Sequence, residues 1–182
     1  MGTEGKNEWK NILKSTGSET GINLDEKEQE LFGIYLRELI EWNRKINITS
    51  IKTTEDIVIK HFLDSLMVLN YITLSGRVAD IGSGGGFPGI PLKIKKPSLY
   101  VVLMESNRKK ANFLRHTIRS LGLQGIEVYN GRAESYDRKS AFDYAVSRAF
   151  SDLKSFCTLA VPLLKTGGHV VSMKGKSSGG EI

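Results

Sequence analysis

The chain has 182 residues, of which 40% are apolar, 8% aromatic and 25% charged, and its formal net charge is +6. This composition is typical of a globular protein and excludes a disordered, collagen-like or low-complexity chain. The single cysteine, Cys157, excludes a disulfide framework, and the three histidines lack the spacing of metal ligands, so we expect no metal.

The charge is unevenly distributed along the chain. Residues 1–70 carry 9 basic and 12 acidic side chains, whereas residues 71–182 carry 17 basic and 8 acidic ones. A basic segment of this size favours a polyanionic partner such as RNA, although surface lysines and arginines that only keep a protein soluble would give the same count. The polar start and the lack of any long apolar run predict no membrane contact and a cytoplasmic location.

Residues 1–70 are predicted to form a helical extension. A short helix is expected near residues 8–14, and Asn23 with Glu26 resembles a capping box that opens a second helix. In that helix apolar side chains recur every three or four residues, which predicts a buried stripe of Leu31, Tyr35, Leu39, Trp42 and Ile46. A third helix is expected to begin near Thr53 or Thr54.

From residue 77 onward the pattern changes to alternating strands and helices. Five strands are predicted, at residues 78–81, 100–104, 126–129, 144–146 and 169–173. Helices are expected at residues 108–121 and 153–164, and residues 165–168 are predicted to be a helix stop and turn. This alternation predicts an α/β domain over residues 71–182, with a parallel sheet covered on both faces.

The segment most informative about function follows the first predicted strand. It reads Asp80-Ile81-Gly82-Ser83-Gly84-Gly85-Gly86, and glycines here let the backbone turn tightly and approach a ligand closely. A nucleotide-binding P-loop would need Lys and Ser or Thr after the last glycine, where Ile90 and Pro91 stand. A dinucleotide fingerprint fits only from Gly84 onward, so NAD is a remote alternative.

The Asp-x-Gly-x-Gly-x-Gly spacing resembles instead the first motif of class I S-adenosylmethionine-dependent methyltransferases, which have a Rossmann-like sheet. Glu105 directly follows the second predicted strand, where an acid can accept hydrogen bonds from ribose hydroxyls. The alternative reading of Glu105 is a surface loop acid.

Several further segments, taken together and in order, resemble the glucose-inhibited division protein B family, the bacterial 16S ribosomal RNA guanine-N7 methyltransferases. The resemblance covers roughly residues 25–176. Besides the glycine loop and the Phe87-Pro88-Gly89 that follows it, it rests on residues 43–50, 61–66, 131–134, 147–150 and 173–175.

The resemblance implies S-adenosyl-L-methionine as methyl donor, S-adenosyl-L-homocysteine as product and 16S ribosomal RNA or the small ribosomal subunit as partner. It also implies which residues meet the donor. They are Gly82 and Phe87 along the donor, Glu105, Ser106 and Asn107 at its ribose, and Ala133 and Glu134 at its adenine, with Asp80, Gly84 and Gly86 supporting the loop.

Three further residues are positioning candidates. Arg148 is expected to reach the donor or the RNA, and His61 and Asp64 match a family signature of unstated task. Each has a plainer alternative: Arg148 could pair with Asp80 or Glu134, and His61 could be a structural histidine. Phe87 and Ala133 could likewise serve only packing. Candidate RNA contacts are Lys93, Lys95, Lys96, Arg108, Lys109, Lys110 and Lys174.

The reaction implied by the resemblance does not need a catalytic base. Guanine N7 is a hydrogen-bond acceptor without a proton, so it can attack a sulfonium methyl directly. The rival readings are a small-molecule methyltransferase and a non-catalytic RNA-binding assembly factor. We also expect a monomer, and a sheet that lacks the C-terminal strands with which the family normally continues.

Overall fold

The computed structural model describes residues 5–51, 53–70, 75–148, 150 and 152–173. The helical extension predicted from the sequence is present. Its elements are α1 (Gly5–Glu19), α2 (Glu26–Asn43), α3 (Thr54–Ile57), a π-helix (Val58–Leu63) that continues α3 without a break, and α4 (Asp64–Met67).

The helix starts follow from local hydrogen bonds. Thr53 caps α3, as expected, because its hydroxyl accepts a hydrogen bond from the amide of Asp56 at 3.2 Å. The capping box of α2 was predicted two residues too early. Asp25 accepts from the amide of Glu28 at 2.7 Å, and the Glu28 carboxylate accepts from the amide of Asp25 at 2.9 Å.

The second part of the chain is a five-stranded parallel sheet, as predicted. In chain order it contains β1 (Arg77–Ile81), α5 (Gly89–Lys95), β2 (Tyr100–Met104), α6 (Arg108–Ser120), β3 (Ile126–Tyr129), β4 (Phe142–Ser147), α7 (Leu153–Ala160) and β5 (Leu164–Ser172). The strand order is β3-β2-β1-β4-β5, so the chain changes direction across the sheet between β1 and β4. The carboxyl ends of strands at such a switch point form the usual ligand crevice of open α/β sheets.

One predicted turn lies inside a strand. Residues 165–168 belong to β5, where Leu164 pairs with Phe142 and His169 with Tyr144. Five steps of β5 therefore face two steps of β4, and the additional residues form a bulge that absorbs the two glycines. The preceding helix also ends earlier than predicted, at Ala160, before a short 3₁₀ turn.

The two faces of the sheet carry two separate apolar clusters. Successive strand residues point to opposite faces, so Val101 packs with the extension and Val102 with α7. The first cluster contains Phe32, Tyr35 and Phe62 of the extension, so the helices at residues 5–70 share one core with the sheet. The predicted division between residues 70 and 71 stays a prediction, because residues 71–74 lie outside the described residues.

Within the described residues, β3 and β5 form the two edges of the sheet. The strands expected to be missing would follow residue 173, outside the described part of the chain, so that expectation stays a prediction. In the described residues no helix combines the length and apolar character that a membrane span requires.

Candidate functional site

The glycine-rich loop leaves β1 at the switch point of the sheet. Gly82, Gly84 and Gly86 have φ values of +74°, +56° and +94°. These angles lie in the left-handed region that side-chain-bearing residues rarely adopt, which explains the alternating glycines of the motif. The amide of Gly82 donates to the carbonyl of Met104 at 2.9 Å, so the loop remains bonded to β2 beyond the strand end.

A cleft of about 210 Å³ opens where the carboxyl ends of β1, β2 and β3 meet. It brings together five of the residues that the sequence predicts at the methyl donor: Gly82, Glu105, Ser106, Ala133 and Glu134. Ile81, Met104, Phe150 and Leu159 add apolar surface to its lining. The lining combines a glycine at 82, a small buried alanine at 133 and an acid at 105. The pocket therefore has room for a flat ring, and Glu105 supplies a carboxylate that can bind hydroxyl groups.

Glu105 connects the loops that follow β1 and β2. One carboxylate oxygen accepts from the amide of Gly84 at 2.9 Å, and the other accepts from the amide of Asn107 at 2.7 Å. Since a carboxylate offers about four lone-pair sites, Glu105 keeps acceptor capacity toward the cleft. Asn107 does not line the cleft; its side chain caps α6 by accepting from the amides of Lys109 and Lys110.

Asp80 is completely buried beneath the glycine-rich loop. Oδ2 accepts from the amide of Gly89 at 2.9 Å, which fixes the start of α5 against β1. Oδ1 has no hydrogen-bond partner among the described residues. Burial raises the pKa of Asp80 to about 7, because a charged carboxylate loses its hydration there.

The raised pKa of Asp80 predicts a pH-dependent contribution to stability. The folded state holds this proton more tightly than the unfolded state, so the contribution is complete below about pH 4 and is lost as the pH rises through about 7. The measurement is the free energy of unfolding in urea, taken for the wild type and for Asp80→Asn. The wild-type value minus the variant value should fall by about 1 to 4 kcal/mol between about pH 5 and pH 8.

Asp143→Asn is the matched control for this measurement. Hydrogen bonds from Lys165 and the Arg77 amide lower the pKa of Asp143, so its contribution changes only in more acidic solution. The corresponding difference for Asp143→Asn should be flat over the same pH range. A flat difference for Asp80→Asn as well would contradict a raised pKa at Asp80.

Arg148, His61 and Asp64, the three positioning candidates, form one cluster. The Arg148 guanidinium, just beyond the end of β4, donates to the carbonyls of Lys60 at 2.8 Å and His61 at 3.3 Å, and to the hydroxyl of Ser65 at 3.2 Å. It also lies 3.4 Å from Asp64. Its acidic partner is therefore neither Asp80 nor Glu134, the two alternatives considered from the sequence.

The protonation of His61 follows from its two neighbours. Arg148 can only donate, so Nδ1 of His61, 3.2 Å from the guanidinium, is an acceptor. Nε2 then carries the proton and donates to the hydroxyl of Thr49 at 2.9 Å. Burial, followed by the charge of Arg148, lowers the pKa of His61 to about 4, so the ring is neutral near pH 7.

Phe87 lies in an aromatic stack rather than in the cleft. Its ring is buried and stacks on His61, with ring centroids 4.4 Å apart, and on Tyr35, with centroids 5.4 Å apart. The guanidinium of Arg148 lies 5.7 Å from the Phe87 centroid. The residue predicted to line the donor therefore joins the glycine-rich loop to the Arg148 cluster.

The predicted RNA contacts separate into two groups. Lys93 is 3% exposed and its ammonium donates to the carbonyls of Pro97 and Leu99, so it presents no cation at the surface. Lys95 is held by Glu28 at 2.9 Å and by the carbonyl of Asn23. The exposed candidates are Lys96, Arg108 and Lys109, with Lys110 partly exposed, whereas Lys174 lies outside the described residues.

Tyr35 and Thr49 reach the site although no sequence pattern assigned them a role there. Tyr35 belongs to the apolar stripe of α2, and its hydroxyl donates to the carbonyl of Gly85. A buried tyrosine needs a partner for its hydroxyl, so a lone tyrosine in an otherwise apolar stripe was the available signal. Thr49 reaches His61 from a loop, and nothing in its local sequence indicates that contact.

Comparison with known proteins extends this description. A family model described as rRNA small subunit methyltransferase G (GidB) matches residues 28–182. A protein named ribosomal RNA small subunit methyltransferase G from Geobacter sp. (strain M21) is 44% identical over 175 residues, which is 95% of this chain and 81% of the relative. The protein of the same name from Chromobacterium violaceum is 41% identical, over 90% of this chain and 78% of the relative.

Solved structures agree on the fold. A putative S-adenosylmethionine-dependent methyltransferase from Methanococcus maripaludis superposes with a TM-score of 0.55 at 17% identity, over 84% of this chain and 66% of that one. One from Aquifex aeolicus gives a TM-score of 0.54 at 18% identity, over 69% and 70%. The Rossmann-like sheet, the length of the family match and the identity to these relatives lead to one conclusion: the chain belongs to the GidB family, rRNA small subunit methyltransferase G.

Proposed function

We propose that this protein transfers a methyl group from S-adenosyl-L-methionine to N7 of a guanine in 16S ribosomal RNA. The observation that carries the proposal is the cleft at the switch point, where Gly82, Glu105 and Ala133 meet at three strand ends. The names of its relatives, which are small-subunit ribosomal RNA methyltransferases, support the class of substrate.

The residues of the cleft fit the shape of the donor and its ribose and adenine groups. The left-handed backbone at Gly82 leaves no side chain between the loop and a ligand. The free lone pairs of Glu105 are suited to ribose hydroxyls, and the buried Ala133 leaves space for an adenine beside apolar side chains. The donor supplies a methyl group made electrophilic by its positively charged sulfur.

The arrangement agrees with a transfer that needs no base. The lone pair of guanine N7 forms the new N–C bond while the electrons of the C–S bond leave with sulfur, so no proton moves and the methylated guanine carries the positive charge. His61, with a pKa of about 4, donates to Thr49 and accepts from Arg148, which makes it a structural member of the site rather than a base. The protein's task is alignment, which is worth about 7–11 kcal/mol at best.

Exposed cations at the carboxyl edge of the sheet would hold the RNA. Arg108, Lys109 and Lys110 open α6, which begins three residues after Glu105. Phosphate contacts from such residues set the position of the RNA without reading its sequence. Contact at these residues, at Lys96 and at Lys174 stays a prediction, as do the monomeric state and the cytoplasmic location.

The decisive experiment is transfer of a labelled methyl group to small ribosomal subunits, or to their naked RNA, from a strain that lacks this modification. Nucleoside analysis should show 7-methylguanosine as the labelled product, at one nucleotide per particle. Binding of S-adenosyl-L-homocysteine without transfer to either RNA would favour a small-molecule substrate. A protein that binds RNA but not S-adenosyl-L-homocysteine would be an assembly factor. A protein that binds NAD but not S-adenosyl-L-homocysteine would be an oxidoreductase.

A further inference from the structure

The loop between α2 and α3 lies beside the glycine-rich loop and has no role in the function proposed so far. Asn43, the last residue of α2, braces this loop with three hydrogen bonds. Its Nδ2 donates to the carbonyl of Thr49 at 2.9 Å, and its Oδ1 accepts from the amides of Ile48 at 2.8 Å and Thr49 at 2.9 Å. The loop therefore has a fixed conformation, and groups on it are presented with little loss of chain entropy on binding.

Two contacts place this loop at the reaction end of the site. Ile48 is buried, and a Cβ built on Gly85 would lie 3.1 Å from its Cγ2. The Thr49 hydroxyl bonds to His61, which stacks on Phe87. Through His61, Thr49 connects the loop to Arg148 at the end of β4, whereas Trp42, just before the loop, packs on α6.

The loop carries two free cations. Arg44 and Lys45 are exposed and are the only charged residues between Trp42 and Ile51. Neither forms an ion pair within the described residues, whereas Lys60 nearby is held by Asp56 at 2.6 Å and Arg148 by Asp64. The extension as a whole is acidic, so the charge count of residues 1–70 conceals this local basic site.

We propose that Arg44 and Lys45 bind phosphates of the ribosomal RNA strand that flanks the target guanine, with the Asn43-braced loop holding them in register with the glycine-rich loop. This inference rests on the proposed function, because it assigns a second contact for the same RNA. Trp42, two residues before Arg44, packs on Phe113 and His116 of α6, so these two cations and those that open α6 stand on neighbouring elements and one RNA strand can contact both groups. Such contacts position an RNA and contribute counterion release to its affinity.

The test compares two charge-matched double variants, Arg44→Ala/Lys45→Ala and Lys27→Ala/Arg119→Ala. Lys27 opens α2 and Arg119 is in the last turn of α6, at the amino edge of the sheet, and both are exposed. The first variant should raise KM for the RNA at least about tenfold, leave kcat within about twofold and make the log–log salt dependence of RNA affinity shallower by about 1.4, the value for two single-strand phosphate contacts. The second should match the wild type.

The outcomes separate this inference from the function on which it rests. Wild-type protein that methylates no RNA would remove the proposed function. Wild-type protein that methylates RNA, with an Arg44→Ala/Lys45→Ala variant of unchanged KM and salt dependence, would overturn the inference alone. Equal losses in both double variants would also overturn it, because they would show a general charge effect. Calorimetry with S-adenosyl-L-homocysteine should give the same affinity for the wild type and both double variants. A lower affinity in Arg44→Ala/Lys45→Ala would show that the substitutions disturb the donor loop, and it would overturn the inference.

Discussion

Replacing Gly82 with aspartate should lower the affinity for S-adenosyl-L-homocysteine at least about a hundredfold, or about 3 kcal/mol. Gly82 has a φ of +74° and lines the cleft, so the new side chain would occupy ligand space beside the carboxylate of Glu105. A non-glycine residue in this conformation also costs about 1–2 kcal/mol. Calorimetry measures the affinity, and thermal unfolding measures the accompanying loss of stability.

Gly122→Asp is the control for backbone strain and added charge. Gly122 has a φ of +63°, and a Cβ built there has no atom within 4 Å. This variant should lose a similar amount of stability yet bind S-adenosyl-L-homocysteine normally. RNA affinity should change less than about threefold in both variants. A parallel loss of donor and RNA affinity in Gly82→Asp would contradict its assignment to the donor alone.

Replacing Arg148 with lysine should lower kcat about a hundredfold while changing the affinity for S-adenosyl-L-homocysteine little. Lysine keeps the charge but cannot make the forked contacts that Arg148 makes to Lys60, His61 and Ser65. These contacts fix the end of β4 against the π-helix beside the glycine-rich loop. A displacement of about 1 Å in such a frame can cost about a hundredfold in rate. Steady-state kinetics at saturating RNA, with thermal unfolding alongside, measures the effect.

Asp64→Asn provides the matched comparison for Arg148→Lys. Asp64 lies 3.4 Å from Arg148 with 46% of its side chain exposed, and exposed ion pairs contribute only about 0–1 kcal/mol. We expect less than about a threefold change in kcat. A normal kcat in Arg148→Lys would show that Arg148 is not a positioning residue. A fall in kcat explained wholly by unfolding would show that its role is structural.

The sheet was predictable because its signals are local. β3 begins and ends where its run does because Gly125 and Asn130 bound it, and β2 ends where the polar Glu105 follows. The first residues of α2 and β5 were harder to predict. Asn23 and Asp25 are both good caps, and a Gly-Gly pair reads as a turn whether it ends a helix or forms a bulge, so tertiary pairing decides.

The residues of the candidate site that directly follow strand ends were predictable from the sequence. Gly82, Glu105 and Ala133 meet because parallel strands bring their carboxyl ends to one edge of the sheet. The contacts of Tyr35, Thr49 and Arg148 depend on how the extension packs against that edge, which no local pattern specifies. Lys93 is the opposite case, a residue assigned to the surface that the structure buries. Its ammonium group folds back onto carbonyls of its own loop, and the sequence alone does not distinguish such a lysine from a surface cation.

The π-helix at Val58–Leu63 makes the length of this segment as important as its side chains. A π-helical turn holds one residue more than the α-helical turn it replaces, and each residue of an α-helix advances the direction of its side chains by about 100°. Deleting a single residue here would restore a regular α-helical turn and shift the residues inside the segment, among them Lys60 and His61, whose carbonyls accept from Arg148. A deletion variant that stays helical should therefore be more harmful than any single substitution in the segment, and the spacing from Thr53 to Ser65 is itself a constraint on sequences that share this site.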